Sequence, residues 1–173
     1  NCDIAIELNS EYKTAYYNLG IAYRNLEEHK KAIEVYNKVI ELNPEDEVLI
    51  SEPYWVSYPE MVKLGDGVPV SVETSQENDF KMAPEVLEDK ITSNTKALIL
   101  NSPSNPTGTV YSKEEMEVIA ELALKNNFYV ISDEVYEYLI YDDVEHVSFA
   151  SLGEEVKDIT ILINGMSKAY AMT

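Results

Sequence analysis

Four side chains of different chemistry follow apolar runs in this sequence. Lys168 lies in Asn164-Gly165-Met166-Ser167-Lys168-Ala169-Tyr170, just past Ile159 to Ile163. Asp133 and Tyr136 lie in Asp133-Glu134-Val135-Tyr136, just past Phe128 to Ile131. Asn105 opens Asn105-Pro106-Thr107-Gly108, just past Ala97 to Leu100. An amine, a carboxylate, a phenol and an amide delivered from the ends of strand-like segments are the parts needed to hold and use an aldehyde cofactor. Taken singly, each has an ordinary reading: a solvated lysine, a strand-end cap, a core tyrosine among 13, an Asn-Pro turn. The single tryptophan, Trp55, is as readily a core residue as a site aromatic.

The elements that must position these groups alternate. Apolar, β-prone runs stand at Val48-Leu49-Ile50, Val68 to Val72, Ala97 to Leu100, Phe128 to Ile131 and Ile159 to Ile163. Helical signals lie between most of them. Ser57-Tyr58-Pro59-Glu60 and Ser112-Lys113-Glu114-Glu115 both fit a capping box, and Met116, Ile119, Ala120 and Ala123 continue the second with helical spacing. Pro84 reads as a first-turn proline opening a helix to Ile91. Strands alternating with helices predict an α/β fold, a mostly parallel sheet with flanking helices over residues 47–173. Such sheets bind ligands beyond the carboxyl ends of their strands. Asn105, Asp133 and Lys168 all fall there, with Tyr136 expected one helical turn past Asp133.

Residues 1–46 carry a different pattern. Ile6-Glu7-Leu8-Asn9 returns as Ile40-Glu41-Leu42-Asn43, an offset of 34 residues, with Tyr16, Leu19, Gly20, Tyr23, Ala32, Tyr36 and Pro44 between or after them. In order and spacing these resemble a tetratricopeptide repeat, whose small residue is missing only at Val39. The resemblance implies an α-helical hairpin, a partial repeat array and a protein partner reached through its helices. Asn43-Pro44-Glu45-Asp46-Glu47 then passes straight into the first strand, where a flexible linker is usual. The abrupt junction suggests a fragment or a fusion of pieces.

Composition narrows the classes. At 173 residues and 45% hydrophobic the chain can bury a core. A net charge of −19 argues against nucleic-acid binding, which needs a basic surface. An anionic cofactor remains compatible, since helix N-termini and single cations bind phosphate locally. Cys2 is the only cysteine, so no intramolecular disulfide can form and a reducing, cytoplasmic setting is expected. His29 and His146 are too far apart in sequence to suggest a zinc site, and no metal is expected. No apolar stretch approaches membrane-spanning length.

Residues 47–173 resemble the cofactor-binding large domain of class I aminotransferases, the pyridoxal-phosphate enzymes of the aspartate aminotransferase type. The stretches that carry the resemblance are Asp46 to Ile50, Pro53-Tyr54-Trp55-Val56-Ser57-Tyr58-Pro59-Glu60, Asn101 to Gly108, Ser132 to Tyr136 and Ser167 to Thr173. The resemblance implies a fold-type I sheet, pyridoxal 5′-phosphate, amino-acid and 2-oxo-acid substrates, and a homodimer. It makes Lys168 the lysine that joins the cofactor as an aldimine and moves the proton, with burial lowering its pKa. Asp133 becomes the partner of the pyridinium nitrogen, keeping the ring protonated and able to accept electrons. Tyr136 and Asn105 meet the cofactor's 3′-oxygen, and Trp55 lies at the ring and substrate carboxylate.

The family continues past Thr173 to a phosphate-gripping arginine, and it also has an N-terminal glycine loop and a C-terminal small domain. Weak or no amino transfer is therefore expected of these 173 residues. Two alternatives stay open: a lyase reaction on the same fold, and a protein-interaction module whose enzyme segment is a relic.

Overall fold

The computed structural model describes residues 45–172. The repeat hairpin expected within residues 1–46 falls on residues outside this range. The chain runs through β1 (Glu47–Ser51), α1 (Ser57–Leu64), β2 (Val68–Val72), α2 (Pro84–Lys90), β3 (Thr95–Asn101), α3 (Lys113–Asn126), β4 (Tyr129–Asp133), α4 (Glu154–Asp158), β5 (Thr160–Ile163) and α5 (Met166–Ala169). Every run read as strand-like forms a strand.

The five strands lie in the order β2-β1-β3-β4-β5, and all four pairings are parallel. Burial explains the sequence patterns. In β1 the consecutive Val48, Leu49 and Ile50 are all buried, and in β3 so are Ala97 to Leu100. A strand covered on both faces reads as a continuous apolar run, not as alternation. The edge strands β2 and β5 are less buried. Pro69, which has no N–H to give a ladder, sits in β2, where one side needs none.

The core joins Leu49, Leu98, Leu100 and Val130 of the sheet to Met116, Ile119, Ala120 and Ala123 of α3, with Leu87, Phe128 and Phe149 closing it. Each of the larger of these side chains contributes about 1.5–3 kcal/mol when fully buried, relative to exposure. The α3 start holds the expected capping box: the Glu115 N–H donates to Ser112 Oγ at 3.3 Å, and the Ser112 N–H donates to Glu115 Oε2 at 2.7 Å. Pro84 occupies the first turn of α2.

The capping box expected at Ser57 does not form. Val56 takes the N-cap position in a right-handed helical conformation, and no side chain caps the helix. The Tyr58 N–H bonds instead to the Trp55 carbonyl at 3.0 Å. That tight turn draws Ser57 into the helix, away from the cap. Among the described residues no helix is long and apolar enough to cross a membrane.

Candidate active site

Parallel strands end on a common edge. Asn101 is in register with Asp133, and Asp133 with Ile163. From β1 the chain goes outward to β2; it then returns to β3 on the other side of β1 and continues to β4 and β5. Connections leaving in opposite directions open a crevice at the strand ends, the place where open α/β sheets bind ligands.

Trp55, from the β1–α1 connection, and Tyr58, from the first turn of α1, enter this crevice. The Tyr58 ring is buried and meets Trp55 edge to face, with centroids 5.5 Å apart at 89°. Trp55 itself is 43% exposed, so part of its indole is open to solvent. The Tyr58 hydroxyl donates to Asp133 Oδ2 at 2.7 Å, and the Val135 N–H donates to Oδ1 at 3.2 Å. Burial first, then the charge and hydrogen bond of Asp133 and the nearby Tyr136, push the Tyr58 phenol well above its ordinary pKa. It therefore stays a donor, and a charge-assisted hydrogen bond steadies the carboxylate.

Asn105 and Tyr136 line one cavity of about 260 Å³, together with Gly108 and Leu139. The loop carrying Asn105 closes on itself, the Gly108 N–H bonding the Ser104 carbonyl and the Ser104 N–H the Thr109 carbonyl, both at 2.9 Å. Gly108 makes this closure possible at φ 73°, a conformation costly to residues with a Cβ. Tyr136 does not lie on a helix as its spacing suggested. Residues 135–138 form a turn, tied by the Glu137 N–H to the Glu134 carbonyl at 2.9 Å. The Glu134 N–H is held by the Ile163 carbonyl at 2.8 Å, which keeps the chain on β5 past the strand end.

Lys168 stands on α5, past the end of β5 on the same edge. Tyr170 meets Tyr138 in a tilted contact at 59°, with centroids 5.8 Å apart, so the end of α5 leans on the turn that carries Tyr136. The lysine is exposed, contrary to the burial expected of it. The reason is local: α5 is a single turn, with only Ala169 of its four residues even partly buried. The edge thus joins Trp55, Asp133, Tyr136 and Asn105 through direct or shared contacts, and Lys168 flanks them.

Behind Asp133 lies a group that the sequence reading missed. Glu134 is buried, and its carboxylate accepts from Ser132 Oγ at 2.8 Å, Ser148 Oγ at 3.1 Å, the Phe149 N–H at 2.9 Å and His146 Nε2 at 3.0 Å. Burial pushes its pKa up, but the hydrogen bonds from His146, Phe149, Ser132 and Ser148 outweigh it and hold the carboxyl below its ordinary value. Glu134, Glu137 and His146 offer ligand atoms within 4.8 Å of one another. The four hydrogen bonds on Glu134 give the cluster a structural role. Tyr58 and Asn101 were also missed. Tyr58 follows Trp55 by three residues in the same short segment, and Asn101 is the polar residue that ends the apolar run Ala97 to Leu100.

The family model for "Aminotransferase class I and II" matches residues 29–173. The chain belongs to the class I and II aminotransferases. An aspartate aminotransferase from Bacillus sp. (strain YM-2) is 57% identical over 132 residues, 76% of this chain and 34% of that protein. A solved double mutant of the Thermus thermophilus aspartate aminotransferase superposes with a TM-score of 0.73 at 50% identity, over 77% of this chain and 34% of that one. The aromatic aminotransferase from Pyrococcus horikoshii OT3 gives 0.72 and 48%, over 74% and 34%. This aminotransferase chain spans about a third of the length of the relatives it matches. Its parallel sheet is the fold-type I sheet.

Aminotransferases of this kind use pyridoxal phosphate, and the chemistry of the edge fits that group. Asp133 Oδ2 carries one donor and keeps a lone pair for a second. The Asn105 and Tyr136 cavity is open, and the Trp55 indole is partly exposed.

Proposed function

We propose that this aminotransferase chain holds pyridoxal 5′-phosphate at the carboxyl edge of β3, β4 and β5. It serves amino transfer between an amino acid of aspartate type and a 2-oxo acid. Asp133 would face the pyridine nitrogen, Asn105 and Tyr136 the 3′-oxygen, Trp55 the ring, and Lys168 the aldehyde carbon. The bound cofactor supplies an electron sink for the substrate's α-carbon. The chain's own residues do the rest. Asp133, held in place by the Tyr58 donor, would accept a hydrogen bond from the ring nitrogen. Lys168, on an exposed turn, is free to swing and to carry a proton to or from the substrate carbon. The supporting observation is the Tyr58–Asp133 hydrogen bond at an edge that also carries Asn105 and Tyr136.

The test is to mix the full chain with pyridoxal phosphate, reduce with borohydride, and locate the label by peptide mass. Label on Lys168, absent from Lys168→Ala, supports the reading; label elsewhere, or none, overturns it. Glutamate formed from aspartate and 2-oxoglutarate distinguishes amino transfer from a lyase reaction, which would release ammonia or carbon dioxide. A homodimer, as in the family, is the assembly we assign to the whole enzyme. The 34-residue echo in residues 1–46 favours a second role in protein contact, which capture of a partner by that segment would test.

A further inference from the structure

The end of β3 carries an amide whose two polar atoms are both committed to the main chain of site residues. Asn101 is the last residue of β3, 7% exposed, and in register with Asp133. Its Nδ2 donates to the Asp133 carbonyl at 2.9 Å, and its Oδ1 accepts from the Asn105 N–H at 2.7 Å. The Ser102 N–H reaches the same Asp133 carbonyl at 3.2 Å, and beyond it the β3–β4 ladder stops. Asn101 therefore replaces the next rung of the sheet with a side chain, and the bridge continues into the Asn105 loop.

We infer that Asn101 is a positioning residue that sets the spacing between Asp133 and Asn105, and so matches the edge to the two sides of one pyridine ring. The inference rests on the reading of Asp133 and Asn105 as cofactor contacts. Its physical basis is that both hydrogen bonds go to backbone atoms. They fix where the two Cα atoms stand and leave each side chain free to face the ligand. Asparagine is the residue that can do this. A buried amide offers a donor and an acceptor on a short stem, and both must be paired. Aspartate keeps the acceptor and loses the donor, alanine loses both, and glutamine is a methylene too long for the gap.

The experiment uses the full chain with Asn101→Ala and Asn101→Asp. Amide hydrogen exchange, read without cofactor, should show the Asn105 N–H losing protection in Asn101→Ala and keeping it in Asn101→Asp. Pyridoxal phosphate affinity, measured by titrating the absorbance of the bound cofactor, should fall on the order of tenfold to a hundredfold in Asn101→Ala, as expected for two hydrogen bonds. In an Asn105→Ala/Asp133→Ala background the same substitution should cost almost nothing further, because there is no contact left to position. An equal fold-loss in both backgrounds, or an Asn105 amide equally protected in parent and Asn101→Ala, overturns the inference. If Asn105→Ala and Asp133→Ala leave affinity unchanged, the cofactor reading fails first and takes the inference with it, whatever Asn101 does to exchange.

Discussion

The Tyr58 hydroxyl and Asp133 Oδ2 stand 2.7 Å apart, joining the first turn of α1 to the end of β4 across the end of β3. The link spans the point where the chain reverses its direction along the sheet, so it ties together the two sides of the crevice. Tyr58→Phe keeps the ring that packs on Trp55 and removes only the donor. A hydrogen bond to a charged group is worth about 1.5–3 kcal/mol, and the low end suits a carboxylate that is only half-buried. Tyr58→Phe should therefore lower unfolding free energy by about 1.5 kcal/mol in urea and weaken cofactor affinity about tenfold. Unchanged affinity with lowered stability would make the Tyr58–Asp133 bond a brace for the fold alone.

Glu134 predicts a pH response. Its carboxyl is held below the ordinary value in the fold, because donors from His146, Phe149, Ser132 and Ser148 overcome the cost of burial. A group depressed in the folded state stabilises fully above its unfolded pKa, and the contribution is lost as pH falls through the folded value. The unfolded value is about 4.3, so the melting temperature should hold from neutral pH to about pH 5 and then fall steeply. Glu134→Gln should melt lower at neutral pH, since one of its donors would face an amide N–H, and should show a shallower acid limb. Parallel acid limbs in the two proteins would remove Glu134 from the account.

Gly108 isolates backbone strain from packing. Its φ is 73°, and a Cβ built there meets no atom within 4 Å. Gly108→Ala should then cost only the left-handed conformation, about 1–2 kcal/mol, without a steric clash. Equilibrium denaturation measures this. A larger loss would point to rearrangement of the Ser104–Thr109 closure that presents Asn105.

The strands were legible because central parallel strands bury both faces, which leaves continuous runs such as Val48-Leu49-Ile50 that no surface helix would carry. The edge they share followed from alternation with helices. What the sequence hid were contacts made across the sheet. Tyr58 looked like part of a cap, yet its function is set by Asp133, 75 residues away. Asn101 stood just past the apolar run Ala97 to Leu100 with no role of its own, and only the register with Asp133 gives its amide a purpose. The turn at Tyr136 was misread as helix because its spacing from Asp133 is helical, whereas the segment closes through single-turn bonds, the Glu137 N–H to the Glu134 carbonyl and the Leu139 N–H to the Tyr136 carbonyl.

Lys168 permits a clean separation of chemistry from stability. It is exposed on a one-turn helix, and exposed side chains away from caps and networks change stability by less than about 0.5 kcal/mol when removed. Lys168→Ala should accordingly melt with the parent chain and keep its near-ultraviolet circular dichroism. It should still bind pyridoxal phosphate through Asp133, Asn105 and Tyr136, with faster release, while losing all borohydride-trapped label. Lys168→Arg should behave as the alanine variant does in trapping, because a guanidinium stays protonated and cannot attack a carbonyl. A marked loss of melting temperature in Lys168→Ala would mean that the amine is part of the fold, and trapping that survives in both variants would assign the aldehyde to another lysine.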